Sequence, residues 1–117
     1  MPANEQLTHR LRAALAPVEQ VEEMKMFNGI AIMVNGKMCI CVSNDELLCR
    51  IDPSLQETLM ERPGCRPMLR RGKPLTGYVY VHQEFVKTKK DFDYWVALCL
   101  AYNQVAKASK KKMTGTK

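Results

Sequence analysis

The chain has 117 residues, is 46% hydrophobic and carries a formal net charge of +6, which fits one globular domain and excludes disorder as a description of the whole chain. No uninterrupted apolar stretch, neither residues 30–34 nor the longer run at residues 94–102, approaches the roughly 20 residues of a membrane-spanning helix. The first residues also lack the apolar core of a signal peptide. We therefore expect a cytoplasmic protein that makes no membrane contact.

The positive charge is concentrated at the C-terminal end. Five of the eighteen Lys and Arg residues lie in residues 107–117, and the twelve Asp and Glu residues nearly balance the remainder. A Lys-rich segment attracts phosphates without reading a base sequence. It also serves as a solubilising end, which is the interpretation we favour. The sequence predicts a folded domain over residues 1–109 and a flexible Lys-rich tail over residues 110–117.

The N-terminal segment, residues 4–15, predicts an amphipathic helix. Asn4 is suited to cap its first turn, and Pro17 ends it. His9 falls on the opposite face from the apolar stripe and should be exposed to solvent. The stripe consists of Leu7, Leu11, Ala14 and Leu15.

The pair Asn35-Gly36 gives the strongest local signal, a two-residue hairpin turn between the β-rich runs 30–34 and 37–42. An uninterrupted register from this turn predicts four cross-strand pairs: Ile32 with Cys39, Ile30 with Cys41, Met33 with Met38, and Ala31 with Ile40. Both faces of the hairpin are then apolar, whereas an antiparallel sheet with one wet face alternates apolar and polar residues. These strands are therefore either covered on both sides or half-covered and in need of a partner.

The remaining pattern predicts further strands and two helices. A strand ends near Phe27, just before a turn at residues 28–29; the last helix starts at Thr88. Between them the sequence predicts strands at residues 46–51, 65–71 and 75–82, with a short helix at residues 53–61 and a turn at residues 72–74. Pro67 places the 65–71 strand at an edge. The apolar stripe of the last helix is Phe92, Trp95, Val96, Cys99, Tyr102 and Ala106.

This order indicates an α+β fold, with an antiparallel sheet, an N-terminal helix, a short middle helix and a long C-terminal helix.

The five cysteines are an odd number without CxxC spacing, which fits reduced thiols in the cytoplasm. Cys39 and Cys41 lie two apart and are predicted to share a strand face, but a zinc site needs four Cys or His ligands and no second close pair occurs. His82 is the only histidine near the sheet, and nothing brings a third catalytic group to it. Packing in the core is therefore the favoured role of the cysteines. We predict no catalytic residue, metal ligand or cofactor.

A basic cluster lies in the segment CRPMLRRGK. Its members are Arg66, Arg70, Arg71 and Lys73. Tyr78 and Tyr80 are expected on a neighbouring strand, and cations beside aromatic rings are able to hold phosphates and stack bases. Charge also protects an edge strand against aggregation, and this second interpretation is the favoured one.

The segments KMFNGIAIMVNGKMCICVSNDELLCRID, RRGKPLTGYVYV and DYWVALCLAYNQVAK resemble the N-terminal domain of the TfoX/Sxy family. The landmarks of this resemblance are Met26-Phe27-Asn28-Gly29, Gly36-Lys37-Met38, Leu47, Gly72-Lys73-Pro74, Tyr78 and Trp95. The resemblance implies an α+β fold with an antiparallel sheet. Full-length members of the family look like regulators of bacterial competence genes that act with the cyclic-AMP receptor protein. From the resemblance we expect a stand-alone N-terminal domain, without the second, C-terminal domain of those members. The resemblance supplies no catalytic residues.

The sequence therefore predicts a non-enzymatic bacterial module that acts in regulation through protein contact. Its predicted interaction face consists of Ile30, Ile32, Cys39 and Cys41, and the partner is another protein or a second copy of the chain. Two alternatives remain open. One is a nucleic-acid-binding accessory protein that uses the basic cluster and the tail; the other is a metal or redox protein that uses the cysteines.

Overall fold

The computed structural model describes residues 4–26 and 29–106. The strands are β1 (Val21–Met26), β2 (Gly29–Val34), β3 (Lys37–Ser43), β4 (Glu46–Arg50), β5 (Cys65–Arg70) and β6 (Lys73–His82); the helices are α1 (Glu5–Leu15), α2 (Gln56–Met60) and α3 (Lys89–Asn103). The strands form one sheet in the order β1-β2-β3-β4-β6-β5, and each neighbouring pair is antiparallel. The predicted α+β fold with three helices is confirmed.

The start of α1 is fixed as the sequence predicts. The Asn4 Oδ1 accepts a hydrogen bond from the Leu7 backbone N–H at 3.1 Å, which satisfies one of the amide groups left free at a helix start. The Asn4 backbone N–H donates to the Asn44 carbonyl at 2.9 Å, so the same residue attaches α1 to the β3–β4 turn. His9 is exposed, which confirms its predicted position.

The hairpin turn is confirmed, but most of the predicted register is wrong. Asn35 and Gly36 both adopt positive φ, at 55° and 76°, and Met33 pairs with Met38 as predicted. The register then shifts, so that Ile32 faces Ile40, Ala31 faces Cys41 and Ile30 faces Val42. A β-bulge at this point places one extra residue, Cys39, in β3. Every predicted pair beyond the bulge is displaced by one residue.

The main core lies between the sheet and the helices. Leu7 and Leu11 of α1 and Trp95 of α3 belong to the same buried cluster as Ile40 and Val79 of the sheet. Five residues of the stripe predicted for the last helix are buried, namely Phe92, Trp95, Val96, Cys99 and, just beyond the end of α3, Ala106. No sequence pattern singles out Asn103, whose buried Nδ2 donates to the Val34 carbonyl at 3.2 Å and connects the end of α3 to β2.

Two predicted boundaries differ from the structure. The predicted helix 53–61 is a 3-10 turn at Pro53–Leu55 followed by α2. β6 begins at Lys73, ahead of the predicted start at residue 75, and the turn lies at residues 71–72. Pro74 is tolerated within β6 because β4 pairs only with residues 78–82, which leaves one side of the first part of β6 free of a strand, where a missing N–H costs no ladder bond.

Some predictions lie outside the described residues: the turn at Asn28, and the Lys-rich tail. In the part of the chain that the structure does describe, no helix has the length and apolar character needed to cross a membrane.

Candidate protein-interaction face

The sheet has a second apolar cluster on the face away from the helices. Ala31, Cys41 and Leu48 are buried there, and five larger side chains pack around them half-buried: Met33, Met38, Met68, Tyr78 and Tyr80. All eight residues lie on strands, whereas the helix residues of the core belong to the other cluster. We call these eight residues the open face.

Alternation along each strand produces this face. Leu47 and Cys49 of β4 point into the helix-side core while Leu48 points the other way. On β6 Val79 is in the core and Tyr80 is on the open face, because successive strand residues project to opposite sides of a sheet. The sequence prediction of a hairpin with two apolar faces is therefore confirmed, and helices cover one of them.

The four residues predicted as an interaction face do not lie on one surface. Ile32 and Cys39 are each only 1% exposed and belong to the helix-side core, against which Ile30 also packs. Cys41 alone belongs to the open face. The prediction that Cys39 and Cys41 share a face is wrong, because the β-bulge at Cys39 breaks the two-residue alternation between them.

Polar groups border the open face where β4, β6 and β5 meet. The Arg66 guanidinium donates two hydrogen bonds to the Glu46 carboxylate, at 2.8 and 2.7 Å. It also lies 4.2 Å from the centre of the Tyr80 ring. On the other side, Arg50 donates to the Met38 carbonyl at 3.4 Å and lies 5.9 Å from the centre of the Tyr78 ring. The arrangement is an apolar centre with a charged rim, as in many protein interfaces.

The predicted basic cluster is divided by the fold. Arg66 is held by Glu46 and Tyr80, as described above. Arg70, Arg71 and Lys73 surround the β5–β6 turn and line a shallow concavity together with Pro74 and Leu75. All three cations are exposed, and β5 is an edge strand as predicted. Arg66 is therefore an ion-pair partner within the sheet, whereas Arg70, Arg71 and Lys73 stay together at the β5–β6 turn.

The cysteines do not form a reactive centre in the structure. All five are free thiols, and no group of three or more Cys, His, Asp or Glu within residues 4–26 and 29–106 is placed to hold a metal ion. Burial raises the pKa of Cys39 and of Cys41 to about 12. Burial and contact with the Cys49 thiol raise the pKa of Cys99 as well. The His82 Nδ1 accepts a hydrogen bond from the Glu84 backbone N–H at 3.1 Å, which occupies its lone pair.

This burial predicts slow thiol chemistry. The thiolate is the reactive species, and a pKa of about 12 for Cys39 and Cys41 keeps both protonated at mildly alkaline pH. We expect their reaction with a chromogenic disulfide reagent to be on the order of 10³-fold slower than that of an exposed cysteine. Half-buried Cys65 should react first. Mass spectrometry of the modified peptides checks the order, with denatured protein as the control; rapid labelling of native Cys39 would contradict it.

Comparison with known proteins adds the family. The family model described as the TfoX N-terminal domain matches residues 13–102, which include the C-terminal end of α1, the whole sheet and most of α3. The search of curated proteins and the search of solved structures gave no match. The match covers more than half of the chain and agrees with the motifs that suggested this family. The chain therefore belongs to the TfoX N-terminal domain family, which is a family of regulatory-type domains and not a known enzyme family.

Proposed function

We propose that this chain is a non-enzymatic regulatory domain of the bacterial cytoplasm, and that it acts in transcription regulation, including the control of competence, by binding a protein partner through the open face. One observation carries the proposal: the sheet has an apolar face to which no described helix contributes a residue. Family membership supports the regulatory part, and the open face supplies a physical means of contact.

The chemistry of the open face suits protein binding. Three of its eight members are methionines, whose flexible and polarisable side chains adapt to the shape of a partner. Two are tyrosines, which offer a large apolar ring with a polar end and are enriched at interfaces. A contiguous apolar patch whose larger side chains are partly exposed is typical of an interaction site. The Arg66–Glu46 pair at its border supplies directional contacts.

The experiment compares two variants. One carries a glutamate on the open face, and the other carries a glutamate at the neighbouring position outside it. Met68 is half-buried on the open face, while its neighbour Leu69 is 57% exposed and outside the cluster. We expect Met68→Glu to weaken capture of the partner by at least about tenfold, since placing a charge within an apolar interface commonly costs that much. Leu69→Glu should bind as the unchanged protein does.

Site-specific photo-crosslinking identifies what is bound. A photoreactive residue at Met38 should crosslink the partner in cells, and the same residue at Val105, which is 74% exposed just beyond the end of α3, should not. Circular dichroism and thermal unfolding confirm that each variant is folded. Equal capture by Met68→Glu and Leu69→Glu, or crosslinks of equal yield from both positions, would refute the proposed use of the open face.

The cations at the β5–β6 turn favour a second candidate function, binding of nucleic acid as an accessory protein. Among the described residues, Arg70, Arg71 and Lys73 form no ion pair. Arg71 also adopts a φ of 55°, a left-handed conformation that costs a non-glycine residue about 1–2 kcal/mol. An arginine at this position carries that cost where Asn or Gly would carry less, which supports a role for its guanidinium group.

Fluorescence anisotropy with a short DNA duplex tests this candidate. Affinity should fall steeply as the salt concentration rises. Changing Arg70, Arg71 and Lys73 together to alanine should reduce the slope of log affinity against log salt concentration by the equivalent of up to about three phosphate contacts. Deletion of residues 107–117 is the control for the tail. If that deletion alone abolishes binding, the folded domain has no part in it.

A further inference from the structure

The two edges of the sheet differ in their readiness to accept another strand. β5, at one edge, contains Pro67 and a register shift against β6 between Pro67 and Leu69, two features that discourage further pairing. β1, at the other edge, pairs with β2 through six consecutive residues without a shift and contains no proline or glycine. Its outer side is therefore a regular template for one more strand.

The alternation of hydrogen-bonded and non-hydrogen-bonded pairs between β1 and β2 identifies the backbone groups of β1 that face outward. The Asn35 N–H donates to the Gln20 carbonyl at 3.0 Å, so residues 20 and 35 form a hydrogen-bonded pair just before Val21 and Val34 pair. Antiparallel strands alternate between hydrogen-bonded and non-hydrogen-bonded pairs. Residues 22 and 24 therefore direct their backbone groups toward β2. Val21, Glu23 and Lys25 direct theirs away from the sheet.

Glu23 and Lys25 make this edge complementary to itself. Three registers of a two-fold antiparallel pairing bring the charged outward residues, Glu23 and Lys25, opposite one another or opposite themselves. Two of them place Glu23 opposite Glu23 or Lys25 opposite Lys25, which like-charge repulsion disfavours. In the third, Glu23 of each copy faces Lys25 of the other, so both cross-strand pairs are attractive, and Met24 lies on the two-fold axis.

We infer that β1 docks against β1 of a second copy of this chain, antiparallel and centred on Met24, so that two six-stranded sheets join into one. Outward N–H and C=O groups of Glu23 and Lys25 then pair with those of Lys25 and Glu23 across the axis. The inference is separate from the proposed function, because it concerns the edge strand and not the open face.

The side chain of Met24 supports this register. It is 44% exposed, and its pairing with Ala31 places it on the same side of the sheet as the open face. At the axis the two Met24 residues form a non-hydrogen-bonded pair, in which side chains approach most closely. Dimerisation covers both and makes the apolar surfaces of the two copies continuous.

Charge on the helix side is compatible with the same arrangement. Arg12 of α1 donates to the Glu23 carboxylate through Nε at 2.6 Å and Nη2 at 2.9 Å. In the dimer, the ammonium group of Lys25 of the second copy lies near the same carboxylate. The carboxylate oxygens have further lone pairs that accept a hydrogen bond from it. Edge pairing of two short strands covers less surface than a standard protein interface. We therefore expect a dimer that dissociates on dilution.

Analytical ultracentrifugation of the full chain over a wide concentration range tests the inference with paired charge variants. Lys25→Glu leaves only acids at the two positions, and Glu23→Lys leaves only lysines. Each variant alone should dimerise at least tenfold more weakly than the unchanged protein, whereas an equimolar mixture should associate again, because acidic β1 then faces basic β1. Lys90→Glu, a charge change at an exposed site on α3, is the control and should dimerise normally.

A cysteine at the axis tests the register independently. Met24→Cys should form an intermolecular disulfide with mild oxidant, and Lys25→Cys should form it much more slowly because it faces Glu23 of the other copy. A chain that stays monomeric at every concentration, with its β1 charges acting only to protect the edge, would overturn the inference. So would a dimer that is indifferent to Lys25→Glu.

Discussion

Replacing Trp95 with alanine should lower the free energy of unfolding by about 3–5 kcal/mol, the range observed for removal of a large buried aromatic side chain. Trp95 is 2% exposed and lies in the cluster where α3 meets the sheet, with Phe92 and Cys99 on the same helix. Its removal leaves a cavity that the rigid strands fill only in part. Because a domain of this size is stable by about 5–15 kcal/mol in total, the loss is a large share of its stability.

Tyr94 provides a matched control for this change. It is the neighbouring aromatic residue, 38% exposed, and it touches the Trp95 ring edge-on at a centroid distance of 5.7 Å. Tyr94→Ala should cost about 1 kcal/mol, since an aromatic pair contributes little beyond burial. Chemical denaturation of both variants measures the two values. Equal losses would show that α3 is not anchored through Trp95.

Replacing Gly29 with alanine should cost about 3 kcal/mol, at the upper end of the range for overpacking a well-packed core. A Cβ at this position would lie 2.0 Å from the Val42 carbonyl oxygen and 3.1 Å from the Ser43 Cα. Both atoms belong to the backbone of β3, so a side-chain rotation does not remove the overlap. β2 and β3 must separate at this point, with loss of the hydrogen bonds between them.

Gly36→Ala separates this steric effect from the general cost of replacing a glycine. Gly36 has a φ of +76° and open space where a Cβ would lie, so alanine there meets only conformational strain of about 1–2 kcal/mol. Gly29→Ala should therefore be the more damaging change by denaturant titration. A smaller loss at Gly29 than at Gly36 would contradict the close approach of β2 and β3.

Local signals in the sequence predicted the elements that depend on a few neighbouring residues. The cap at Asn4 and the cap at Thr88, whose hydroxyl accepts from the Asp91 N–H at 3.1 Å, follow from side chains within one helical turn. The hairpin turn at Asn35 follows from the backbone preferences of Asn and Gly. The motifs that suggested the TfoX family also lie within short segments, and the family match confirms them.

The β-bulge shows where local reasoning fails. A two-residue turn fixes the register only while each residue pairs with one residue, and Cys39 breaks that rule between Met33 and Ile32. β3 itself contains no glycine that would mark the irregularity. The predicted interaction face was therefore assembled from residues on both sides of the sheet.

The sequence by itself determined the helices, the hairpin turn at Asn35-Gly36, the antiparallel strands and the family, because each depends on residues close together in the chain. Only the tertiary structure decided which apolar face is covered, since α1 and α3 come from opposite ends of the chain and pack on the same side of the sheet. Tertiary structure also inserted β6 between β4 and β5 and left β1 at an edge. An apolar strand residue looks the same in sequence whether a helix or a partner covers it; long-range packing alone distinguishes the two.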